Sequence, residues 1–253
     1  MKLDKFSQDD FIKASNRLVR SLTRGKTTSS QPKAILLGGQ SGAGKTTIHR
    51  IKQREFQGNI IIIDGDSYRS FHPNYLALQE KYGKDSVDYT KVFAGQMVEY
   101  LVDELSKQGY HLLIEGTLRT TEVPRKTAQL LTTRGYQVSL ALIATKPELS
   151  YLSTLIRFEE LYAIDPSQAR ATPKAHHDGI VEHLVDNLQE LEKDKLFSQI
   201  QIYQRDQSCV YDSQVDEISA AEVLHECLFG KWSKVEEEML KIGQERLREL
   251  GDN

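Results

Sequence analysis

The sequence has little cysteine and no long apolar run. Its two cysteines, Cys209 and Cys227, form no C-x-x-C pair, so neither a disulfide framework nor a zinc site is indicated, and both are expected to be reduced and structural. The longest apolar stretches, such as residues 140–144, are far too short to cross a membrane, and the N-terminal stretch MKLDKFSQDD has no apolar signal-peptide core. These absences predict a cytoplasmic protein without a membrane partner.

The chain also lacks an excess of charge of one sign. Its formal net charge is −3 and its pI is about 6.2, which gives no general attraction to nucleic acid or to an anionic membrane. With 253 residues, of which 39% are hydrophobic and 27% charged, the chain has room for one large α/β core plus additions. We therefore expect no nucleic-acid partner.

A glycine-rich stretch follows the first apolar run of the chain. Residues 34–47 read AILLGGQSGAGKTT, and Gly39, Gly44, Lys45 and Thr46 satisfy the P-loop pattern G-x-x-x-x-G-K-S/T between a strand pattern and a helix pattern. A glycine-rich turn with a solvated lysine would explain the glycines but not the Lys-Thr pair. The stretch therefore predicts a phosphate-binding loop.

Each part of this loop has a physical reason to bind a nucleotide. Glycines allow positive φ angles, so the backbone can wrap its N–H groups around a phosphate at a helix N-terminus. Lys45 is expected to reach the β and γ phosphates, and the Thr46 hydroxyl to ligate Mg²⁺. We predict ATP and Mg²⁺ as cofactors, with ATP bound by Gly39, Gln40, Ser41, Gly42, Ala43, Gly44, Lys45, Thr46 and Thr47.

The N-terminal region has the pattern of a basic amphipathic helix. Residues 9–24 place apolar side chains on one side and basic ones at three- and four-residue spacing on another. The helix either docks by its apolar side with a solvated basic face or offers a partner surface. Residues 25–32 are polar and turn-forming, which predicts a linker into the first strand.

Strand and helix patterns alternate after the P-loop. Apolar strand patterns at residues 60–63, 112–114, 138–144 and 199–203 are separated by helical patterns, among them residues 88–107 and 123–133. This order is typical of a parallel sheet whose ligand crevice lies at the carboxyl ends of the strands. We predict an α/β fold: a P-loop kinase-like parallel sheet of about five strands covered by helices, with a helical lid insertion and extra helices at both termini.

The lid insertion lies between the fourth and fifth predicted strands. Helical patterns at residues 149–162 and 177–193 flank a loop that reads AIDPSQARATP, and two further amphipathic helices are expected at residues 220–228 and 234–250. We predict a single P-loop kinase domain over residues 1–253. Its parts are residues 1–32 (helix and linker), 33–210 (core, with the lid at about 147–196) and 211–253 (C-terminal helices).

Three acidic residues follow predicted strands directly and should face the ligand crevice. Asp64 and Asp66 come after residues 60–63, and Glu115 ends the next strand. A kinase needs a carboxylate that accepts a hydroxyl proton and positions the acceptor oxygen. The sequence DGDS is also typical of a helix N-cap. Spacing alone does not choose between Asp64 and Asp66 as the base.

Positive charge is also needed around a phosphoryl group in transfer. Arg157 and Arg170 bracket the predicted lid, and the planar fork of arginine suits phosphate. The group His176, His177, Asp178 and His183 resembles a metal-ligand set, but it lies on a polar helix. We interpret it as a helix cap with solvated histidines.

The stretches GGQSGAGKTT, IDGDSYR, IEGTLR, LIRFEELY and ARATPKAHHD together resemble the zeta toxin family of P-loop kinases, over nearly the whole chain. The resemblance implies transfer of phosphate from ATP to the 3′-hydroxyl of the amino sugar of UDP-N-acetylglucosamine, which blocks synthesis of peptidoglycan precursors. It also implies a small helical antitoxin whose N-terminal helix occludes the ATP site, in a heterotetramer of two toxins around an antitoxin dimer.

The resemblance also implies roles for particular residues. It makes Asp66 the base and Lys45 the phosphate ligand, with Thr46 on Mg²⁺ and with Arg157 and Arg170 on the transferring phosphate. The positions that it matches to sugar-nucleotide binding are Asp66, Glu99, Glu115, Thr117 and Thr127.

Two other functions fit the P-loop. One is a nucleotide-dependent switch, although the sequence has neither the N-K-x-D motif of GTPases nor the L-S-G-G-Q signature of transporter ATPases. The other is a kinase of a different small hydroxyl substrate, such as an antibiotic or a nucleoside.

Overall fold

A computed structural model describes residues 2–166 and 169–251. In this part of the chain a six-stranded sheet has the order β2-β3-β1-β4-β5-β6. The first five strands in this order are parallel to one another, and β6 is antiparallel to β5. The strands are β1 (Lys33–Gly38), β2 (Ile61–Ile63), β3 (Leu112–Glu115), β4 (Gln137–Ile143), β5 (Ile200–Tyr203) and β6 (Cys209–Asp212). The predicted α/β fold is confirmed.

The prediction of about five strands missed β6. This edge strand buries only Tyr211 fully, while Cys209 and Val210 are exposed, so it forms no apolar run in the sequence. It returns from β5 through a tight turn in which Gln204 N–H donates to the Ser208 carbonyl. The predicted end of the core at residue 210 therefore falls inside β6. The assignment of the whole chain to a single domain stays a prediction.

Helices cover both faces of the sheet. Alternate residues of β1 enter different apolar cores: Ala34 and Leu36 join the larger one, and Ile35 and Leu37 the smaller one beside the P-loop helix. The helices are α1 (Gln8–Thr23), α2 (Thr46–Glu55), α3 (Gly65–Tyr68), α4 (Tyr75–Tyr82), α5 (Ser86–Lys107), α6 (Glu122–Thr133), α7 (Pro147–Ile164), α8 (Lys174–Lys193), α9 (Ala220–Phe229) and α10 (Lys234–Gly251), with 3₁₀ turns at Arg69–Phe71 and Gly83–Asp85.

The N-terminal helix α1 docks by its apolar side. Phe11 and Leu18 are buried, and the Phe11 ring meets Phe93 of α5 edge to face at a centroid distance of 5.7 Å. The basic side chains Lys13 and Arg17 are exposed on the outside. The docked interpretation of this helix is therefore confirmed. No helix in the described part of the chain is long and apolar enough to span a membrane.

The predicted lid region contains α7 and α8, and the loop between them includes Ser167 and Gln168, which lie outside the described residues. The C-terminal helix α10 packs against α7, where Arg246 also pairs with Glu160 at 3.2 Å. The C-terminal helix α10 therefore packs against the predicted lid region.

His177 corrects the prediction of solvated histidines on α8. Its side chain is 1% exposed, and Nε2 lies 2.8 Å from the Ser150 Oγ of α7. His177 begins the buried stripe of α8 that continues with Ile180, Val181 and Leu184, so helical periodicity contained the signal that the polar run HHD obscured. The described residues contain no group of three or more His, Cys, Asp or Glu that would hold a metal.

We expect His177→Ala to lower the free energy of unfolding by about 1–3 kcal/mol, because it leaves a buried polar contact unmade. The matched control is His183→Ala on the exposed side of the same helix, which should change stability by no more than about 0.5 kcal/mol. Urea unfolding of both variants measures the difference. Equal stability of the two variants would contradict the buried contact.

Candidate active site

The loop between β1 and α2 has the backbone that the P-loop pattern predicts. Gly39, Gly42 and Gly44 have φ angles of 140°, 73° and 103°, a region that side chains with Cβ rarely adopt. A Cβ on Gly42 would also stand 2.0 Å from the carbonyl oxygen of Ser150. The helix α2 begins at Thr46, so its N-terminal N–H groups lie at the end of this loop.

Lys45 lies across the loop that precedes it. Its Nζ donates to the carbonyl oxygens of Gly39 at 3.2 Å and Gln40 at 3.4 Å, and it lies 3.6 Å from Glu115 Oε1. The lysine side chain is 12% exposed. A cation in this position is available to a phosphate seated on the loop.

The Gln40 side chain faces away from the loop. It is fully buried and donates through Nε2 to the carbonyl oxygen of Thr145 at 2.7 Å and to Ser150 Oγ at 3.2 Å. In return, Thr145 Oγ1 donates to the Ala43 carbonyl at 2.8 Å. Gln40 therefore anchors the loop to the end of β4 and the start of α7.

A cleft of about 580 Å³ opens above the loop. It brings together residues at or just after the ends of β1, β2, β3 and β5 with residues of α7, at the carboxyl ends of the parallel strands, where α/β sheets bind ligands. Its lining residues are Gly42, Gly44, Lys45, Thr46, Thr47, His49, Asp64, Asp66, Glu115, Ser153, Arg157 and Arg205.

The two aspartates after β2 have different surroundings. Asp64 is the N-cap of α3: one carboxylate oxygen accepts from the Asp66 N–H at 3.0 Å and the other from Ser67 Oγ at 2.6 Å. The Asp66 carboxylate extends into the cleft and accepts from Arg69 Nε at 2.8 Å. Asp64 therefore has both oxygens engaged in the turn.

Asp66 is surrounded by cations. Burial raises the pKa of its carboxyl. The hydrogen bond and charge of Arg69, with the charges of Arg170 and Lys45, outweigh burial and hold the pKa below its usual value. Arg170 is in direct contact, because its Nη1 donates to the Asp66 backbone carbonyl at 2.7 Å. Asp66 is thus ionised at neutral pH.

Glu115 lies between two basic side chains. Its Oε2 is 2.8 Å from His49 Nε2, and its Oε1 faces Lys45. Burial raises the pKa of this carboxyl, but the hydrogen bond from His49 and the charge of Lys45 prevail and lower it, against the opposing charge of Asp66. Glu115 is therefore a half-buried carboxylate that remains ionised.

The two predicted arginines approach the cleft from different sides. Arg157, on α7, is exposed and lines the cleft beside the P-loop. Arg170, in the segment before α8, donates to Asp66 and through Nη2 to the Tyr75 hydroxyl at 3.3 Å. The predicted charge-stabilising role of both arginines stays a prediction.

Three residues assigned by resemblance lie elsewhere. Glu99 is exposed on α5, Thr117 is half-buried in the loop after β3, and Thr127 is half-buried on α6. They do not line the cleft around Lys45. Their contact with a sugar nucleotide stays a prediction.

Three further residues of the cleft region were missed in the sequence. His49 lies four positions after Lys45 on α2, a spacing that places both on one helix face. Arg69 belongs to the quoted stretch IDGDSYR and holds Asp66. Arg205 is the second residue after β5, where the carboxyl-end rule that singled out Asp64 and Glu115 applies equally.

The oxygen groups of the cleft fit a magnesium ion. Mg²⁺ prefers hydroxyl, carboxylate and phosphate oxygens and retains several waters. Thr46, at the first turn of α2, and the carboxylates of Asp64 and Asp66 line the same cleft. Thr46 therefore remains the protein ligand that we expect for Mg²⁺ bound together with nucleotide phosphates.

Comparison with known proteins gives consistent matches. A family model described as Zeta toxin matches residues 18–216. The chain is 69% identical over 250 residues to Toxin PezT of Streptococcus pneumoniae serotype 4, covering 99% of each, and 42% identical over 229 residues to Toxin zeta of Streptococcus pyogenes, covering 90% of this chain and 80% of that protein.

Solved structures agree with these matches. A chain from a structure of the PezAT chromosomal toxin-antitoxin system of Streptococcus pneumoniae superposes with a TM-score of 0.93 at 67% identity, over 99% of this chain and all of that one. The AvrRxo1-ORF1:-ORF2 complex gives a TM-score of 0.59 at 16% identity, over 96% of this chain and 80% of that one, a likeness of fold alone. By sequence and by fold, the chain belongs to the zeta toxin family.

Proposed function

We propose that this chain transfers the γ-phosphate of ATP to the 3′-hydroxyl of the amino sugar of UDP-N-acetylglucosamine and so inhibits peptidoglycan synthesis. The observation that carries the proposal is the cleft itself. It combines a P-loop and Lys45 with the ionised carboxylate of Asp66, which accepts a hydrogen bond from Arg69, while Arg170 donates to the backbone carbonyl of the same residue. A phosphate-binding loop that shares a cleft with a carboxylate base is what a small-molecule kinase requires.

Each of these residues has a separate role in the proposed reaction. The loop backbone and Lys45 bind the β and γ phosphates, and Thr46 holds the Mg²⁺ that neutralises their charge. Asp66 accepts the proton of the attacking hydroxyl as the new O–P bond forms and the bond to the β-phosphate oxygen breaks, releasing ADP. Arg157 and Arg170 stabilise the charge on the transferring phosphoryl group.

Glu115 suits a role in acceptor binding. It is the last residue of β3, at the same edge of the sheet as Asp66, and its charge is maintained by His49 and Lys45. A carboxylate accepts hydrogen bonds from sugar hydroxyls. In this proposal Glu115 acts together with Glu99, Thr117 and Thr127, as the family resemblance implies.

The relatives support a partner as well as an activity. The zeta toxin family and the PezAT structure indicate the toxin of a toxin–antitoxin system with a kinase-like fold. We propose a small helical antitoxin that covers the ATP site, in a heterotetramer of two toxins and an antitoxin dimer. Co-expression followed by mass measurement of the purified assembly tests this composition.

The activity itself is tested by incubating the chain with Mg-ATP and UDP-N-acetylglucosamine and identifying the product by mass spectrometry. We expect one phosphate on the amino sugar and none with the control variant Lys45→Ala. A phosphate on a different small molecule from a metabolite extract would identify another acceptor. Phosphate released only to water would contradict a kinase and indicate a nucleotide-dependent switch.

Asp66→Asn should lower kcat by about 10²- to 10⁴-fold while ATP affinity and the thermal midpoint are retained, because an amide cannot take the proton. The matched variant Asp64→Asn should act mainly on stability or on Mg²⁺ dependence, since Asp64 caps the turn. Measuring kcat, ATP Kd and thermal midpoint at saturating Mg²⁺ separates the two roles. Near-normal kcat in Asp66→Asn with collapse in Asp64→Asn would make Asp64 the base.

Glu115→Gln should weaken acceptor binding by about ten- to hundredfold, the loss expected for a hydrogen bond to a charged group. ATP affinity should be kept, because the P-loop and Lys45 are unchanged. Calorimetric titration with each substrate separately provides the two values. An unchanged acceptor Kd would refute the proposed contact with the sugar nucleotide.

A further inference from the structure

Four polar side chains are buried between α4 and α5, away from the cleft above the P-loop. This α4–α5 polar cluster consists of Tyr75, Gln79, Ser86 and Thr90, whose exposed fractions are 6%, 6%, 2% and 1%. None of the four lines the cleft. Burial of a polar group costs free energy unless it finds a hydrogen-bond partner, so the cluster is stable only if its groups are bonded.

The side chains of the cluster are bonded to one another across the turn between the two helices. Gln79 Nε2 donates to the Tyr75 hydroxyl group at 2.8 Å, and Gln79 Oε1 accepts from Ser86 Oγ at 2.9 Å. The Thr90 hydroxyl group lies 3.3 Å from the Ser86 backbone carbonyl, to which it donates. The cluster therefore joins α4 to the first turn of α5 through polar contacts alone.

Two arginines connect the two ends of the cluster to Asp66. Arg69 Nη1 donates to Thr90 Oγ1 at 3.1 Å, while its Nε donates to the Asp66 carboxylate. Arg170 Nη2 donates to the Tyr75 hydroxyl group at 3.3 Å, while its Nη1 donates to the Asp66 backbone carbonyl. The hydrogen bonds therefore form a closed ring that begins and ends at Asp66.

The ring spans three separate parts of the chain. Asp66 belongs to the short helix α3 after β2, the cluster belongs to α4 and α5, and Arg170 lies in the segment before α8. A guanidinium group is planar, so an arginine with two nitrogens bonded to different partners has a defined orientation. Buried networks whose members all have partners are rigid. The ring therefore fixes the relative position of Asp66 and Arg170.

We propose that the residues of the α4–α5 polar cluster are positioning residues for phosphoryl transfer. The inference rests on the proposed function, in which Asp66 is the base and Arg170 stabilises the transferring phosphoryl group. The cluster acts on the reaction through Arg69 and Arg170 and not on the reacting atoms. Because the rate of transfer depends steeply on how the reacting groups are placed, a broken ring lowers kcat. Binding of ATP to the P-loop does not depend on the ring.

Two variants each remove one hydroxyl group that accepts from an arginine of the ring. Tyr75→Phe removes the acceptor of Arg170, and Thr90→Val removes that of Arg69. Each should lower kcat about tenfold, because a hydrogen bond from a charged group is lost. The Kd of AMP-PNP should change by less than about twofold, as expected for a distant site. The matched control is Tyr110→Phe, two residues before the amino end of β3, which should change neither value.

Two further variants test whether the ring acts as a unit. Gln79→Met breaks the ring in the middle without removing a partner of either arginine, and it should also lower kcat about tenfold. The double variant of Tyr75→Phe with Thr90→Val should lower kcat about as much as one single variant, whereas independent sites would give about a hundredfold loss. Steady-state kinetics with Mg-ATP and UDP-N-acetylglucosamine gives kcat, and calorimetry gives the Kd of AMP-PNP. Assays are performed well below the thermal midpoint of each variant.

The outcomes also distinguish this inference from the proposed function. If the unmodified chain is active and the variants keep its kcat, or if kcat and AMP-PNP affinity are lost in parallel, the cluster serves only the stability of the fold. The inference is then wrong and the kinase proposal stands. If the unmodified chain transfers phosphate to no small molecule, both are rejected.

Discussion

The conformation of the loop between β1 and α2 is the constraint on which the cleft depends. Side chains donate hydrogen bonds to four backbone carbonyl oxygens of this loop. These oxygens belong to Gly39, Gln40, Gly42 and Ala43. Two of the donor side chains, Lys45 and Arg205, are cations. Because carbonyl oxygens repel an anion, engaging them with cationic donors makes the loop a more favourable surface for phosphate.

The same loop is tied to the lid region through a buried polar chain. Gln40 bonds to Ser150 on α7, and Ser150 contacts His177 on α8. Close packing at Gly42 against the Ser150 carbonyl leaves no room for a side chain between loop and helix. A displacement of α7 or α8 therefore moves the groups that contact the loop backbone. Arg170 would move with α8, because it lies in the short segment that precedes this helix.

The sequence predicted the parts of this site that are local in the chain. The P-loop pattern identified Lys45 and Thr46, and the rule about strand ends identified Asp66 and Glu115. The burial of His177 and the contact of Arg205 with the loop depend on packing between distant segments. Helical periodicity places His177 on the buried stripe of α8, and the strand-end rule applies to Arg205, but neither pattern identifies the partner, which is Ser150 for the histidine and two loop carbonyls for the arginine. The edge strand β6 was missed because only Tyr211 is fully buried, so the strand forms no apolar run.

Charge balance in the cleft explains why both carboxylates stay ionised near a loop built for anions. The charge of Asp66 raises the pKa of Glu115, yet the pKa of each carboxyl is lowered overall, and Arg69 and His49 each hold one of the two carboxylates by a direct contact. Lys45 faces Glu115 and two loop carbonyls, and an ammonium group has three donors. A phosphate on the loop therefore competes with existing acceptors for Lys45, and Glu115 retains His49 when Lys45 turns to the phosphate. With the contacts to His49 and Arg69 in place, Glu115 and Asp66 remain paired independently of Lys45, so the carboxylates after β2 and at the end of β3 form a negatively charged side of the cleft opposite the cationic loop.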